Sequence, residues 1–156
     1  RASFSLPWPE NAYKFELEEN PLSKLWVAEI SRSDQSKQLV GMIVIWLILD
    51  EVHIATLAVH PDFRRQGIAQ ELLSTALDYA IQKGMLQATL EVRAGNHPAQ
   101  SLYRQFGFNV AGQRHRYYQD NGEDAIIMTA SHLDSQYLNW LRARGWENIH
   151  SIAPAR

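Results

Sequence analysis

Apolar positions along the chain switch between two spacings. They run dense and β-branched from Leu25 to Ile30, from Leu39 to Leu49 and from Val52 to Val59, the composition of strands. The polar stretch from Ser31 to Lys37 separates the first two runs like a hairpin loop. At Ile68 the spacing changes. Ile68, Leu72, Leu73, Ala76, Leu77, Ala80 and Ile81 recur at intervals of three and four, which predicts a helix stopped by Gly84 after Lys83. Ala88 to Arg93 predicts a strand, and Pro98 to Phe106 a short helix with Gly107 beyond its end. Phe108 to Tyr118 and Asp124 to Thr129 predict two strands joined by a turn containing Asn121-Gly122. Leu133 to Arg144 predicts a last amphipathic helix, with Tyr137, Leu138, Trp140 and Leu141 on or near one side. Ahead of the first strand, the rigid Pro7-Trp8-Pro9 leads into a short helix from Asn11 to Glu19 that ends before Pro21. The resulting order, α-β-β-β-α-β-α-β-β-α, predicts a mixed sheet with helices on both faces, and neither a Rossmann fold nor a barrel.

Composition narrows the chemistry. With 156 residues, 46% of them hydrophobic and 21% charged, the chain fits one domain with a sizeable core. It has no cysteine, which excludes a disulfide scaffold, a zinc–cysteine site, an iron–sulfur cluster and a cysteine nucleophile. A net charge of −2 gives no global basic field, so no direct nucleic-acid binding is expected. The longest apolar run, Met42 to Leu49, is eight residues against the roughly 20 that span a bilayer, so no membrane association is expected either. No basic-then-apolar leader opens the chain, and a cytoplasmic location is the expectation. The first residue is Arg1, which suggests that the sequence begins inside a longer protein.

The loop Arg64-Arg65-Gln66-Gly67-Ile68-Ala69 lies between the end of a strand and the first turn of the strongest helix. Unpaired N–H groups and a partial positive charge gather at a helix start and favour a phosphate. Gly67 lets a ligand approach the backbone, Ala69 leaves the next turn unobstructed, and Arg64 and Arg65 supply positive charge. An ordinary exposed turn with two surface arginines fits the same residues. Neither a P-loop nor a dinucleotide-binding glycine pattern is present. The six histidines show no metal-ligand spacing, so no metal site is expected.

R-x-x-G-x-A, from Arg64 to Ala69, resembles the acetyl-CoA pyrophosphate signature of the GNAT superfamily of N-acetyltransferases. Four further blocks flank it in chain order, one before and three after: Leu57-Ala58-Val59-His60-Pro61, then Leu90-Glu91-Val92-Arg93-Ala94-Gly95-Asn96, Leu102-Tyr103-Arg104-Gln105-Phe106-Gly107-Phe108, and Arg116-Tyr117-Tyr118 with Glu123-Asp124-Ala125-Ile126-Ile127-Met128. Together they are similar to the RimI-type ribosomal-protein alanine N-acetyltransferases, over about residues 4 to 130. The resemblance implies a GNAT-like α/β fold with a mixed, mostly antiparallel sheet. The family's N-terminal strand would be missing from one sheet edge, and a C-terminal helix would be added. It also implies an acetyltransferase domain over residues 1–130 and a helical extension over 131–156, packed on that domain.

The same resemblance implies the site. Glu91 corresponds to the family's catalytic base, where the residues alone favour a strand-face ion pair with Arg93 or with a neighbouring strand. Tyr103 corresponds to the acid that protonates the coenzyme A thiolate, where a half-buried core tyrosine is the plain alternative. Acetyl-CoA, as cosubstrate, would meet Leu57, Ala58 and Val59 along the strand, Arg64, Arg65, Gln66, Gly67, Ile68, Ala69 and Gln70 at the pyrophosphate loop, and Asn96, which could also simply cap the following helix. Trp8, Tyr117 and Tyr118 would grip the acceptor, the tyrosine pair being otherwise a stiffener of an exposed hairpin. Acidic side chains in the two flanking segments (Glu16, Glu18, Glu19, Asp120, Glu123 and Asp124) would attract a basic peptide. The implied acceptor is a protein N-terminus, with a small-subunit ribosomal protein beginning in alanine as the leading candidate. A small amine or lysine side chain, and a non-catalytic acetyl-CoA-binding module, are the competing readings.

Overall fold

In the computed structural model, which describes residues 22–115, 117–118, 120–146 and 151–154, the strand-forming runs assemble into one sheet. Its strands are β1 (Ser23–Ser31), β2 (Lys37–Ile48), β3 (Glu51–Val59), β4 (Gln87–Arg93), β5 (Asn109–Arg114), β6 (Ala125–Ala130) and β7 (Ser151–Pro154). They lie in the order β5-β6-β4-β3-β2-β1-β7. Every neighbouring pair is antiparallel except β3 with β4. That exception is forced by the connection: β3 leads through α1 (Ile68–Gln82) to β4, and a crossover helix returns a strand parallel. The helices α2 (His97–Gln105) and α3 (Ser135–Ala143) complete the described elements, with a 3₁₀ turn at Pro61–Phe63.

All three helices feed one core. Ile68, Leu72, Ala76 and Leu77 of α1, Leu102 and Tyr103 of α2, and Leu141 of α3 are buried together with Ile43, Ile54, Leu57 and Leu90 of the sheet. The opposite sheet face carries a smaller cluster of Leu25, Val27, Leu39 and Val44. Asn11 to Glu19, the helix predicted ahead of the first strand, lies outside the described residues.

A β-bulge positions everything that follows. β2 and β3 pair Ile45 with Ile54 and Val44 with Thr56, so Ala55 is the extra residue. Side chains alternate along a strand, and one inserted residue reverses the alternation. Val52 and Ile54 before the bulge, and Leu57 and Val59 after it, therefore all reach the helix-covered core.

The structure corrects the sequence reading in two places. The strand predicted to run to Tyr118 ends at Arg114, while Asn121 and Gly122 do stand in a turn on the way to β6. The reason is local: Tyr118 N–H donates to Glu123 O at 3.0 Å and Gly122 N–H to Tyr118 O at 2.8 Å, a closed loop that leaves Tyr118 no ladder partner. The second correction is β7, absent from the prediction, which pairs with the outer edge of β1 from Trp26↔Pro154 to Glu29↔Ser151. A segment of four residues carrying one large apolar side chain gives too little alternation to recognise.

Candidate functional site

β3 and β4 part company at the site. Their register runs from Glu51↔Gln87 to Ile54↔Leu90 and stops, although β3 continues to Val59 and β4 to Arg93. A wedge opens between them. His60 N–H donates to Val40 O at 2.7 Å, so by alternation Ala58 presents its main chain to β2 while Leu57 and Val59 present theirs to the wedge. Of the three strand residues anticipated as cofactor contacts, two face the opening with main-chain groups and Ala58 does not.

The loop after β3 supplies the next wall. Arg65 has φ 65° and Gly67 has φ 82°, two left-handed residues flanking Gln66, a backbone form that concentrates N–H groups on one side. Gly67 is the N-cap of α1 and offers no side-chain cap, so the first-turn N–H groups at Ile68, Ala69 and Gln70 receive none from it. A Cβ built on Gly67 meets nothing within 4 Å, which leaves open space for a ligand above the helix start. Arg64, Arg65 and Gln66 are exposed around it.

Asn96 starts α2 as its N-cap, with Oδ1 accepting from Ala99 N–H at 3.2 Å. Its Nδ2 is buried with no hydrogen-bond partner among the described residues. A buried amide donor left idle costs roughly 1–3 kcal/mol, and a bound acceptor would remove that cost. This donor, the open cradle at Gly67 and the two main-chain segments of the wedge fit a phosphorylated, amide-bearing cosubstrate.

Glu91 and Tyr103 stand on opposite faces of the sheet. Leu90 and Val92 point into the helix-covered core, so Glu91 points the other way, and its side chain keeps 21% exposure. Its ion-pair partner is Arg114 on β5, Nε to Oε2 at 3.0 Å, and not Arg93. Tyr103 is buried on α2 against Phe108, with ring centroids 5.8 Å apart, deeper than a half-buried residue. Groups on two faces of a continuous sheet could not share a reactant; parted strands remove that barrier.

Arg93 is drawn instead to the loop between β5 and β6. Its guanidinium makes two bonds to Asp120, at 3.0 and 2.9 Å, lies 3.5 Å from Glu123, and sits 4.0 Å from the Tyr118 ring centroid. Arg114 lies similarly over Tyr117 at 5.0 Å. The two tyrosines contact each other edge to face at 5.1 Å. Glu123 also accepts from Gly95 N–H at 2.6 Å, which fastens the loop to the start of α2. These bonds depress both carboxyls: Asp120 through Arg93, Glu123 through Gly95 N–H and then Asn121. Burial raises the Tyr118 phenol, partly opposed by Arg93.

The acidic steering expected of this loop is partly cancelled, because Asp120 and Glu123 face Arg93. Trp8, Glu16, Glu18 and Glu19 lie outside the described residues. Arg114 was not anticipated from sequence; once β5 is known to lie two strands from β4, its alternation puts it on the Glu91 face. Among the described residues, no cluster of His, Asp or Glu is placed to hold a metal, and no helix is long and apolar enough to cross a membrane.

Comparison with known proteins finds similar sequences and structures. The acetyltransferase (GNAT) family profile matches residues 1–108. A Bacillus subtilis protein provisionally assigned as a ribosomal protein bS18-alanine N-acetyltransferase is 39% identical over 127 residues, 81% of each chain. The Escherichia coli K12 enzyme of that name is 34% identical over 126 residues, 80% of each chain. The crystal structure of the E. coli ribosomal-protein-S18-alanine N-acetyltransferase superposes with a TM-score of 0.66 over 82% of this chain and 79% of its own, at 32% identity. A NatC complex bound to Gag peptide and CoA gives a TM-score of 0.69 over 82% of both chains, at 27% identity.

Proposed function

The chain belongs to the acetyltransferase (GNAT) family and is an acetyl-CoA-dependent N-acetyltransferase; from that premise we propose that its acceptor is the α-amino group of a protein N-terminus, specifically the N-terminal alanine of ribosomal protein bS18. The observation carrying the acceptor is similarity to two bS18-alanine N-acetyltransferases across four fifths of both chains, at 39% and 34% identity. We assign residues 1–130 to the acetyltransferase domain and 131–156 to an extension packed on it, acting in the cytoplasm.

Acetyl-CoA supplies an activated acetyl group and a thiolate that leaves. The rest is work for the chain. Main-chain groups of Leu57 and Val59 line the wedge, the loop from Arg64 to Gln70 holds the pyrophosphate, and Asn96 Nδ2 donates to the cosubstrate. A free α-amino group titrates near pH 8 and is mostly ammonium at neutral pH. Glu91 accepts its proton, directly or through a water, and Arg114 fixes the carboxylate. Tyr103 gives a proton to the departing sulfur from the opposite face. Tyr117, Tyr118 and Trp8 hold the peptide backbone so that its amine enters the wedge.

Mass spectrometry after incubation with labelled acetyl-CoA tests the acceptor. Peptides beginning Ala-Arg acquire label at the α-amine much faster than spermidine, internal lysines or peptides with a different first residue. Equal rates on spermidine and the Ala-Arg peptide refute the N-terminal assignment in favour of a small amine.

A further inference from the structure

Converting an ammonium to an amide takes two protons from nitrogen, since three hydrogens become one. One proton is matched by the one the sulfur gains, so one is released to solvent. A single carboxylate holds only one at a time, so a second acceptor beside Glu91 has a defined task.

We propose that His53 is that second acceptor, standing across the mouth of the wedge from Glu91 and relaying the amine's other proton to solvent. The proposal rests on the acetyltransferase reading above and adds a residue to it.

Position comes first. His53 sits on β3 one residue before the last paired position, with Thr89 of β4 as its register partner. Parallel partners share a face, so His53 projects on the side of Thr89 and Glu91, away from the helix-covered core that holds Val52 and Ile54. With strands about 4.8 Å apart and a rise of about 3.3 Å per residue, the two α-carbons stand roughly 8 Å apart, room for an amine or a water between the side chains. The imidazole is held flat against Trp46, centroids 5.2 Å apart and planes 19° from parallel, so its orientation is set.

Charge comes second. The charged groups acting on the ring are Glu51 on its own strand, Glu91 on β4 and Arg114 on β5. Burial is the strongest influence and holds the imidazole below its ordinary value, opposed by Glu91 and Glu51. It is therefore a neutral base at physiological pH, and Glu91, whenever it has passed its own proton on and is ionised, favours a proton on the ring.

The experiment pairs kinetics with NMR. In His53→Gln, kcat on the preferred acceptor falls about tenfold or more, the KM for acetyl-CoA holds, and one ionisation disappears from the acidic limb of the pH profile. Added imidazole restores part of the rate to His53→Gly and none to wild type, a response that lost packing would not give. Independently of turnover, the His53 ring titrates lower in Glu91→Gln than in wild type. A wild-type rate and pH profile in His53→Gln overturns the proposal, and so does a His53 titration blind to Glu91→Gln. Running the kinetics on both an Ala-Arg peptide and spermidine separates the two readings. If only spermidine is acetylated, the acceptor assignment fails while the His53 comparison still reads out on spermidine.

Discussion

Two glycines at opposite ends of α1 provide a matched test of the pyrophosphate loop. Gly67 at its start and Gly84 just past its end have φ of 82° and 89°, and a Cβ on either meets nothing within 4 Å. Alanine at each position therefore carries the same cost to the folded protein, the left-handed backbone, worth roughly 1–2 kcal/mol. For a chain of this size that lowers Tm by about 2–4 °C per kcal/mol, in both variants alike. They differ in what lies outside. Only at Gly67 would the methyl group occupy the space through which first-turn N–H groups reach a phosphate. Loss of about 1.4 kcal/mol or more of that contact raises the acetyl-CoA Kd at least tenfold. Calorimetric titration and thermal melts, with and without coenzyme A, are the assay. Gly67→Ala weakens binding and loses the melting shift that coenzyme A gives, while Gly84→Ala keeps both. Equal affinities in the two variants would refute the placement of the pyrophosphate at this helix start.

Three shorter predictions follow. Asn96→Asp keeps an Oδ acceptor for the Ala99 cap and removes the idle Nδ2 donor, so the melting temperature holds while the KM for acetyl-CoA rises severalfold; Asn96→Ala also loses the cap, about 1 kcal/mol, visible in denaturant titration. Glu91→Gln lowers kcat, most at low pH where the amine is protonated, and Tyr103→Phe lowers it with little loss of volume, both with acetyl-CoA affinity retained by calorimetry; a wild-type rate dismisses the residue concerned. Arg142 holds the Asp78 carboxyl below its usual value of 3.8 through bonds of 2.8 and 3.0 Å, so the bridge stabilises the fold above that pH and is lost as pH falls through the depressed folded value. The stability gap between wild type and Arg142→Ala, under about 1 kcal/mol at this half-exposed arginine, therefore closes as pH falls below the ordinary carboxylate range and through the depressed folded value.

The elements most legible in the sequence are those whose side chains repeat. The spacing from Ile68 to Ile81 placed α1 within a residue, because one buried stripe dictates it. Strand positions came from the same source, and the family signature brought Glu91, Tyr103 and Asn96 to attention. What escaped depends on which strands become neighbours. β6 inserts between β4 and β5, so Arg114 reaches Glu91 only through a sheet order that no local pattern encodes. His53 read as a histidine without metal spacing, and only the register of β3 against β4 sets it beside Glu91. Arg93 stands two residues from Glu91, yet a cation–π contact and two carboxylates draw it to a loop 27 residues on.

α3 gives the extension a physical purchase on the site: the Tyr137 hydroxyl donates to Phe106 O at 2.5 Å, and the Trp146 ring stacks on Phe106 at 4.4 Å, both at the end of the helix that carries Tyr103.

The bulge at Ala55 has a consequence for how this chain can vary. Core burial of Leu57 and Val59 and the outward turn of their main-chain groups into the wedge rest on one extra residue in β3. Exchanging that residue for another leaves the count intact. Removing it, or adding one between Ile54 and Leu57, would rotate the rest of the strand by half a turn, sending apolar side chains to the wrong side and the wedge's donors and acceptors toward β2. Position 55 is therefore intolerant of length, so that a deletion there would be read as loss of both folding and catalysis.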